Sequence, residues 1–431
     1  MFKRYLENIG YSSCRGENRL KKCVVIDAVR TPIGKSGWDG MKKGGQFAHV
    51  SAQVLIGSAV AELVRRVKSK SSAFDPKEIE DTAVGCLSQI GEQGGNIGRL
   101  VIFLADLPDE IAGMTIDRYC NAGLQAINSM AQAIMSGCGD IMIAAGVEHM
   151  SHYPMMSSIS VAEAAGFPVM ISDKIYERNF FVPMGVAADM VAKKYNLTRE
   201  DCDKFALWSH QKATKALRDK EWYSKRIAPV KVPQPDGTTK VIDTDETVRT
   251  QSLDEPDVAY SKLMKLGLRF NPDGVHTAGN SSQIVDGAAA TMLMSEEKAD
   301  EVGLKPMVTI RSMAVAGDDP GIMLLGPVPA MRKAFKRAGN LTMDDMDVIE
   351  PNEAFASPPL AFAKEFGYAL DDPRVNPTGG AIALGHPIGA TGVIYFAEMI
   401  YEMQRKGLRY GLETLCGGGG VGIATIVERE K

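Results

Sequence analysis

One order of signals occurs twice along this chain, and that repetition constrains the fold more than any other feature. The first copy opens at Asp75-Pro76-Lys77-Glu78, an acidic cap with proline at the first helical position. A short apolar strand follows at 82–86, and residues 114–119 lead into Cys120-Asn121-Ala122-Gly123. A helical pattern then runs to about Met135, Gly137 and Gly139 end it, and 141–146 reads as a fully buried strand. The second copy opens at Thr342-Met343-Asp344-Asp345-Met346-Asp347, with a strand start at 348–350. After His386 come a helix over 395–403, Gly407 and a strand at 412–415. Asp75 to Cys120 is 45 positions, and Thr342 to His386 is 44. Two packed halves built this way would bring Cys120 and His386 to one shared face.

The remaining segments fit the same class. A β-branched strand at 23–28 ends at the Arg30-Thr31-Pro32 turn, and a helix is expected over 48–67, apolar at Val50, Val54, Leu55, Ala59 and Leu63. Short apolar runs alternating with helices argue for an α/β fold. With 431 residues, about three structural units are expected. We divide the chain into an N-terminal extension (1–22), an N-terminal half (23–149, with 277–300 returning to it), an inserted loop domain (150–276) and a C-terminal half (301–431). The insert holds a helix over 185–195, a capped helix starting Thr198-Arg199-Glu200-Asp201, and a turn at Pro235-Asp236-Gly237. Rich in Lys and Arg, it is expected to cover a ligand.

Composition excludes several classes. A net charge of −4 gives no general attraction to nucleic acid or anionic lipid. No apolar stretch reaches the ~18 residues of a membrane span. The seven cysteines are scattered, with no C-x-x-C pair, which argues against a disulfide framework and for a reducing, cytoplasmic setting. The first residues mix acid with base, unlike a transit peptide. Glycine, at 43 of 431 residues, exceeds the usual ~7% and clusters toward the C-terminus.

Cys120 carries the chemistry. It stands before a helix start, where unpaired N–H groups and about half a positive charge favour a thiolate, so a pKa below the usual ~8.5 is expected. Cys86, Cys138 and Cys202 read as structural. Asn352-Glu353-Ala354-Phe355-Ala356 puts an amide and a carboxylate at a strand-to-helix junction. Gly379-Gly380-Ala381-Ile382-Ala383-Leu384-Gly385-His386-Pro387 sets a histidine in a glycine-rich turn. Cys416-Gly417-Gly418-Gly419-Gly420 sets a second thiol where bare backbone N–H groups can line a pocket.

With these blocks in this order, the chain resembles the thiolases over 24–428. Further matching segments are Val25-Ile26-Asp27-Ala28-Val29-Arg30-Thr31-Pro32, Glu148-His149-Met150, Thr277-Ala278-Gly279-Asn280-Ser281-Ser282, Ser312-Met313-Ala314-Val315-Ala316 and Gly326-Pro327-Val328-Pro329. The resemblance implies a five-layered αβαβα fold of two repeated halves with an inserted loop domain. It implies an acyltransferase with coenzyme A as cosubstrate, no permanently bound cofactor and no metal. A homodimer or homotetramer is implied, with a β-oxidation partner subunit as a further option. By the same resemblance, Cys120 is the acylated nucleophile, and the N–H groups of Cys120 and Gly418 receive the oxyanion. His386 and a water on Asn352 hold the thioester oxygen, His386 also activates Cys120, and Cys416 protonates the leaving enolate. Ser282 and Ala278 would touch pantetheine, Arg249 the nucleotide end, and Met184 and Met323 the acyl group.

The chain departs from the family pattern in four places. Pro183 stands where many members carry a histidine. Pro358-Pro359 would distort the helix after Asn352 by about 3 kcal/mol or more. The segment 254–262 is longer than usual, and 1–22 has no counterpart. The Glu148 block and 312–329 point to degradative 3-ketoacyl-CoA thiolases rather than acetoacetyl-CoA-specific ones. A carrier-protein ketoacyl synthase pairs its cysteine with two histidines, or with histidine and asparagine, and Cys416 argues against it. A non-catalytic coenzyme A or lipid-binding relative should lack one of the reactive groups, and none is missing.

Overall fold

The structure, a computed structural model, describes residues 20–36, 44–168, 172–178, 182–234 and 236–430. Residues 1–19 of the expected extension and Pro235 of the expected turn lie outside them. The N-terminal half runs β1 (Cys23–Arg30), α1 (Ala52–Lys70), β2 (Asp81–Gly85), α2 (Ile97–Leu104), β3 (Met114–Ile116), α3 (Ala122–Met135) and β4 (Ile141–His149). Between β4 and β5 (Val285–Ser295) lie α4 (Met184–Lys194), α5 (Arg199–Arg218) and a hairpin of Val230–Pro233 with Thr239–Ile242. The C-terminal half runs β6 (Val308–Gly317), α6 (Pro327–Arg337), β7 (Val348–Pro351), α7 (Ser357–Phe366), α8 (Thr391–Lys406), β8 (Tyr410–Gly417) and β9 (Val421–Glu428).

The strands pair in the order β7-β8-β9-β6-β1-β5-β4-β2-β3. The two halves of this sheet meet only where Val24 and Val25 of β1 face Thr309 and Val308 of β6. β1, β4, β5 and β7 are buried along their whole length, as strands covered on two sides must be, whereas β6 exposes Arg311 and Val315 on one side. Along β9, Ile423 and Val427 enter the central core, while Ala424 and Ile426 enter the outer core of the C-terminal half. Helices α1 and α2 cover one outer face and α6 and α7 the other, with α3 and α8 packed together in the middle. Five layers result, as the resemblance implied.

Glycine makes the central packing possible. The Gly389 carbonyl stands 2.6, 2.8 and 2.6 Å from where side chains on Gly85, Gly123 and Gly146 would begin. No larger residue fits at these three positions without moving backbone. The turn ahead of α8 is thereby pressed onto β2, α3 and β4.

The inserted segment is anchored by buried charge. Arg30 of β1 donates to both oxygens of Asp245, at 2.8 and 2.9 Å, and to Glu398 of α8 at 2.7 Å. Arg226 reaches the same Glu398 at 2.7 Å.

Local expectations are corrected at three points. Asp75 and Thr342 each start only a single 3₁₀ turn, Pro76–Glu78 and Met343–Asp345, because β2 and β7 begin almost at once. The first long helix begins at Ala52 rather than 48, since the Ser51 hydroxyl caps it by accepting from Val54 N. Pro358 and Pro359 do not distort a helix: they occupy the first turn of α7, where backbone N–H groups have no intrahelical partner to lose. The capping box at Thr198 and Asp201 forms as read.

Candidate active site

Cys120 lies at the end of the loop between β3 and α3. Its predecessor Tyr119 is held at φ +51°, a left-handed conformation uncommon for a side-chain-bearing residue, with its N–H bonded to Asp117 Oδ1 at 2.8 Å. This sharp turn sets the thiol at the helix start. Met150 and Ile388 pack against Cys120 in a small separate cluster, flanked by Leu87, Met155, Met184 and Ile284. Ile388 is two residues past His386, so the turn that carries His386 packs against Cys120.

His386 is buried, and its Nδ1 lies 2.5 Å from the Thr391 hydroxyl. That hydroxyl donates to Pro387 O at 2.9 Å, so toward the imidazole it acts as acceptor. The proton therefore sits on Nδ1, and Nε2, buried with no partner in the protein, presents a lone pair. Burial pulls the pKa of His386 down to about 4, which keeps the ring neutral near pH 7.

Cys416 stands on β8, tied to the Cys120 turn by Asn121. With its nitrogen turned toward β8, the Asn121 amide donates to the carbonyls of Leu415 and Cys416, 3.0 Å to each. Burial pushes the Cys416 thiol up to about 12. The Cys120 thiol is also pushed up, first by burial and then by the nearby Cys416. The thiolate-favouring shift expected at the helix start is thus overturned: withdrawal from water outweighs it. The resting pair is a neutral thiol and a neutral imidazole.

Asn352 follows β7, with its N–H on Thr414 O of β8 at 2.9 Å. Both atoms of its side-chain amide are buried without a protein partner. Behind it, Glu353 accepts from Ser209 Oγ at 2.6 Å, Asn376 Nδ2 at 2.6 Å and Ile382 N at 3.0 Å. A side chain on Gly380 would begin 2.2 Å from the Glu353 carboxyl carbon. Glu353 therefore ties the loop that carries His386 to the Asn352 junction. Gly418 faces the Tyr119 ring, with a would-be Cβ 3.6 Å from it.

The positions expected to face coenzyme A are more dispersed. Ser282 is half-buried, its N–H on Ala354 O at 3.0 Å, and Ala278 is exposed on the same loop. Arg249 is exposed, with its backbone N–H directed at His210 Nδ1, 3.3 Å away. Met184 flanks the Cys120 cluster at the start of α4, directly after Pro183. Met323 is buried in the outer core of the C-terminal half and is not among the side chains packed on Cys120. Thr391 and Asn121 were missed as site residues. The available signals were position alone, one residue after the nucleophile and five after the histidine.

Comparison with known proteins places the chain in a family. The family pattern described as "Thiolase, N-terminal domain" matches residues 23–297, and "Thiolase, C-terminal domain" matches 304–429. A 3-ketoacyl-CoA thiolase of Vibrio parahaemolyticus is 41% identical over 422 residues, covering 96% of this chain and 99% of the relative. One from Marinomonas is 42% identical over 408 residues, covering 94% and 98%. The crystal structure of a Bacillus anthracis acetyl-CoA acetyltransferase superposes with a TM-score of 0.82 at 34% identity, covering 96% of this chain and all of that one.

Proposed function

The chain belongs to the thiolase family, and from that premise we propose that it cleaves 3-ketoacyl-coenzyme A with free coenzyme A through an acyl-Cys120 intermediate. The products are acetyl-CoA and a shortened acyl-CoA, and the reverse reaction is a Claisen condensation. The observation that supports this reading is the packing of the His386 turn, through Ile388, and of the Cys416 strand, through Asn121, against the Cys120 turn, with His386 Nε2 left unpartnered in the protein.

Each step follows from those states. Cys120 attacks the C3 carbonyl while its proton passes to His386 Nε2, so no free thiolate need persist beforehand. The oxyanion is received by the N–H groups of Cys120 and Gly418. When the C2–C3 bond breaks, its electrons enter the acetyl thioester as an enolate. Protonated Nε2 and the Asn352 amide stabilise the thioester oxygen, and donors aimed at such charge are worth about 2.7–4 kcal/mol each. Cys416 gives its proton to C2, releasing acetyl-CoA. The thiol of a second coenzyme A then loses its proton to the Cys416 thiolate and takes the acyl group, and Cys120 recovers its own proton from His386.

Relatives named 3-ketoacyl-CoA thiolase, matching over nearly the full chain, support a degradative substrate range. The likeness to an acetyl-CoA acetyltransferase supports the acetoacetyl-CoA-specific alternative. Comparing cleavage of acetoacetyl-CoA with that of a ketoacyl-CoA of about eight carbons or more decides between them, and a strong preference for acetoacetyl-CoA overturns the degradative reading. Cys120→Ala should abolish cleavage while coenzyme A still binds. Full activity in that variant excludes the covalent route.

The proposal extends to coenzyme A contacts at Ser282, Ala278 and Arg249 and to an acyl-group contact at Met184. It includes the division into 23–149 with 277–300, 150–276 and 301–431. A homodimer or homotetramer is supported by the exposed Met114 on the sheet edge β3 beside exposed Phe103 and Leu104 of α2. The proposal places the protein in β-oxidation in a reducing, cytoplasmic setting, and the cysteines, all free among the described residues, fit the reducing part of it. No helix among those residues is long and apolar enough to cross a membrane.

A further inference from the structure

Glu148 ends β4 wholly buried, at 0% exposure, outside the set of groups that meet substrate in the mechanism above. Its oxygens accept four hydrogen bonds. Oε2 takes Leu87 N at 3.0 Å and Gly389 N at 2.9 Å, and Oε1 takes Ser88 N at 3.0 Å and Gln93 Nε2 at 3.1 Å. Burial pushes this carboxyl above its ordinary range, and the backbone N–H groups of Leu87, Ser88 and Gly389 pull it back. All four partners are donors, so a proton on the carboxyl would displace one of them, and the ionised form fits the site. A single oxygen thus spans the two halves. It holds Leu87, which flanks Cys120, and Gly389, which follows Ile388 in the His386 turn. Bare backbone lets the turn come this close: a Cβ on Gly389 would stand 2.9 Å from Oε2 and 2.6 Å from Cys86 Cα.

We propose that Glu148 is a positioning residue for the thiolase reaction, its carboxylate setting the separation of the Cys120 and His386 turns and adding a negative charge beside the nucleophile. This rests on the mechanism proposed above. Alignment of thiol and imidazole requires the Leu87 and Gly389 segments to keep one spacing, and both hang on the same oxygen. The charge opposes formation of a free Cys120 thiolate, as its effect on that thiol indicates. Proton transfer to His386 is thereby tied to the moment of attack.

Glu148→Gln keeps the shape, removes the charge and turns an N–H donor against two existing donors. Glu148→Asp keeps the charge and shortens the reach. We expect kcat to fall at least tenfold in both, with KM for coenzyme A changed less than threefold. Only the Gln variant should move the pH dependence of Cys120 alkylation by iodoacetamide, and it should move it to lower pH. A purely structural role would leave that profile in place. Wild-type kcat and an unmoved profile in the Gln variant overturn the proposal. If that variant does not fold, the Asp variant decides by its kcat, and failure of both to fold assigns Glu148 to the scaffold and overturns the positioning role. Wild-type enzyme and Cys120→Ala are assayed beside them. An inactive wild type, or an active Cys120→Ala, sinks the thiolase reading itself, whereas unaffected Glu148 variants on an active wild type sink only this inference.

Discussion

At the residue scale, the reactive state of the centre is set by burial. A cysteine at a helix start would by itself favour the thiolate, yet Cys120 and Cys416 are both held protonated by removal from water. The base must then be ready at all times, and His386, pulled to about 4, is neutral across the physiological range. Its acid form is lost as pH rises through that value, so catalysis should fall only as pH drops through it. We expect kcat/KM to stay level down to about pH 5, and an acid limb near the unperturbed ~6.5 would contradict this. Thr391 fixes the tautomer by accepting from Nδ1. Thr391→Val leaves that N–H buried without a partner, a loss of about 1–3 kcal/mol, so kcat should fall roughly tenfold to a hundredfold. Unchanged kcat would mean the ring is oriented by packing alone.

At the element scale, the neighbouring strands β7 and β8 lead into Asn352 and hold Cys416, two groups of the proposed mechanism, and they also carry an unexpected pair. Glu350 and Glu413 are directly opposed in the parallel register, buried, with no hydrogen-bond partner for any carboxylate oxygen among the described residues. Burial pushes both carboxyls well up. Glu398, Glu402 and Glu353 add repulsion at Glu350, and Lys212 opposes it. A folded-state pKa above the unfolded value stabilises below the unfolded pKa and is lost as pH rises through the folded one. Glu413→Gln removes one proton requirement and lets the new amide donate to Glu350. The variant should melt higher than wild type, with a gain that grows as pH rises above the ordinary carboxylate range. A difference in Tm independent of pH would show that the pair does not titrate. Proline placement belongs to this scale too: Pro358-Pro359 looked like a helix breaker because the motif did not reveal where α7 begins.

At the scale of the whole molecule, two interfaces hold the site together. Glycines join the halves around Gly389, and the buried Arg30–Asp245–Glu398–Arg226 network joins the insert to them. Removing one member of a buried ion network leaves an uncompensated charge, at about 3–5 kcal/mol. Arg30→Leu should lower Tm and open residues 150–276 to limited proteolysis before the halves are cut. An unchanged cleavage pattern would mean that apolar packing alone anchors the insert.

Read alone, the chain determined its class and its chemistry. Turn residues and short apolar runs marked β1, β2, β4, β7 and β8, and the Cys120, Asn352, His386 and Cys416 blocks stood out because each lies in or beside a turn whose glycines, caps or prolines are local signals. The antiparallel strands β5, β6 and β9 were not marked, and their pairing depends on partners distant in the chain. Tertiary structure alone decided which charges survive. The protonated thiols, the neutral imidazole and the opposed Glu350 and Glu413 follow from how much water each group loses, and the bridge at Glu148 from the donors gathered around it; both are properties of packing between segments far apart in the chain.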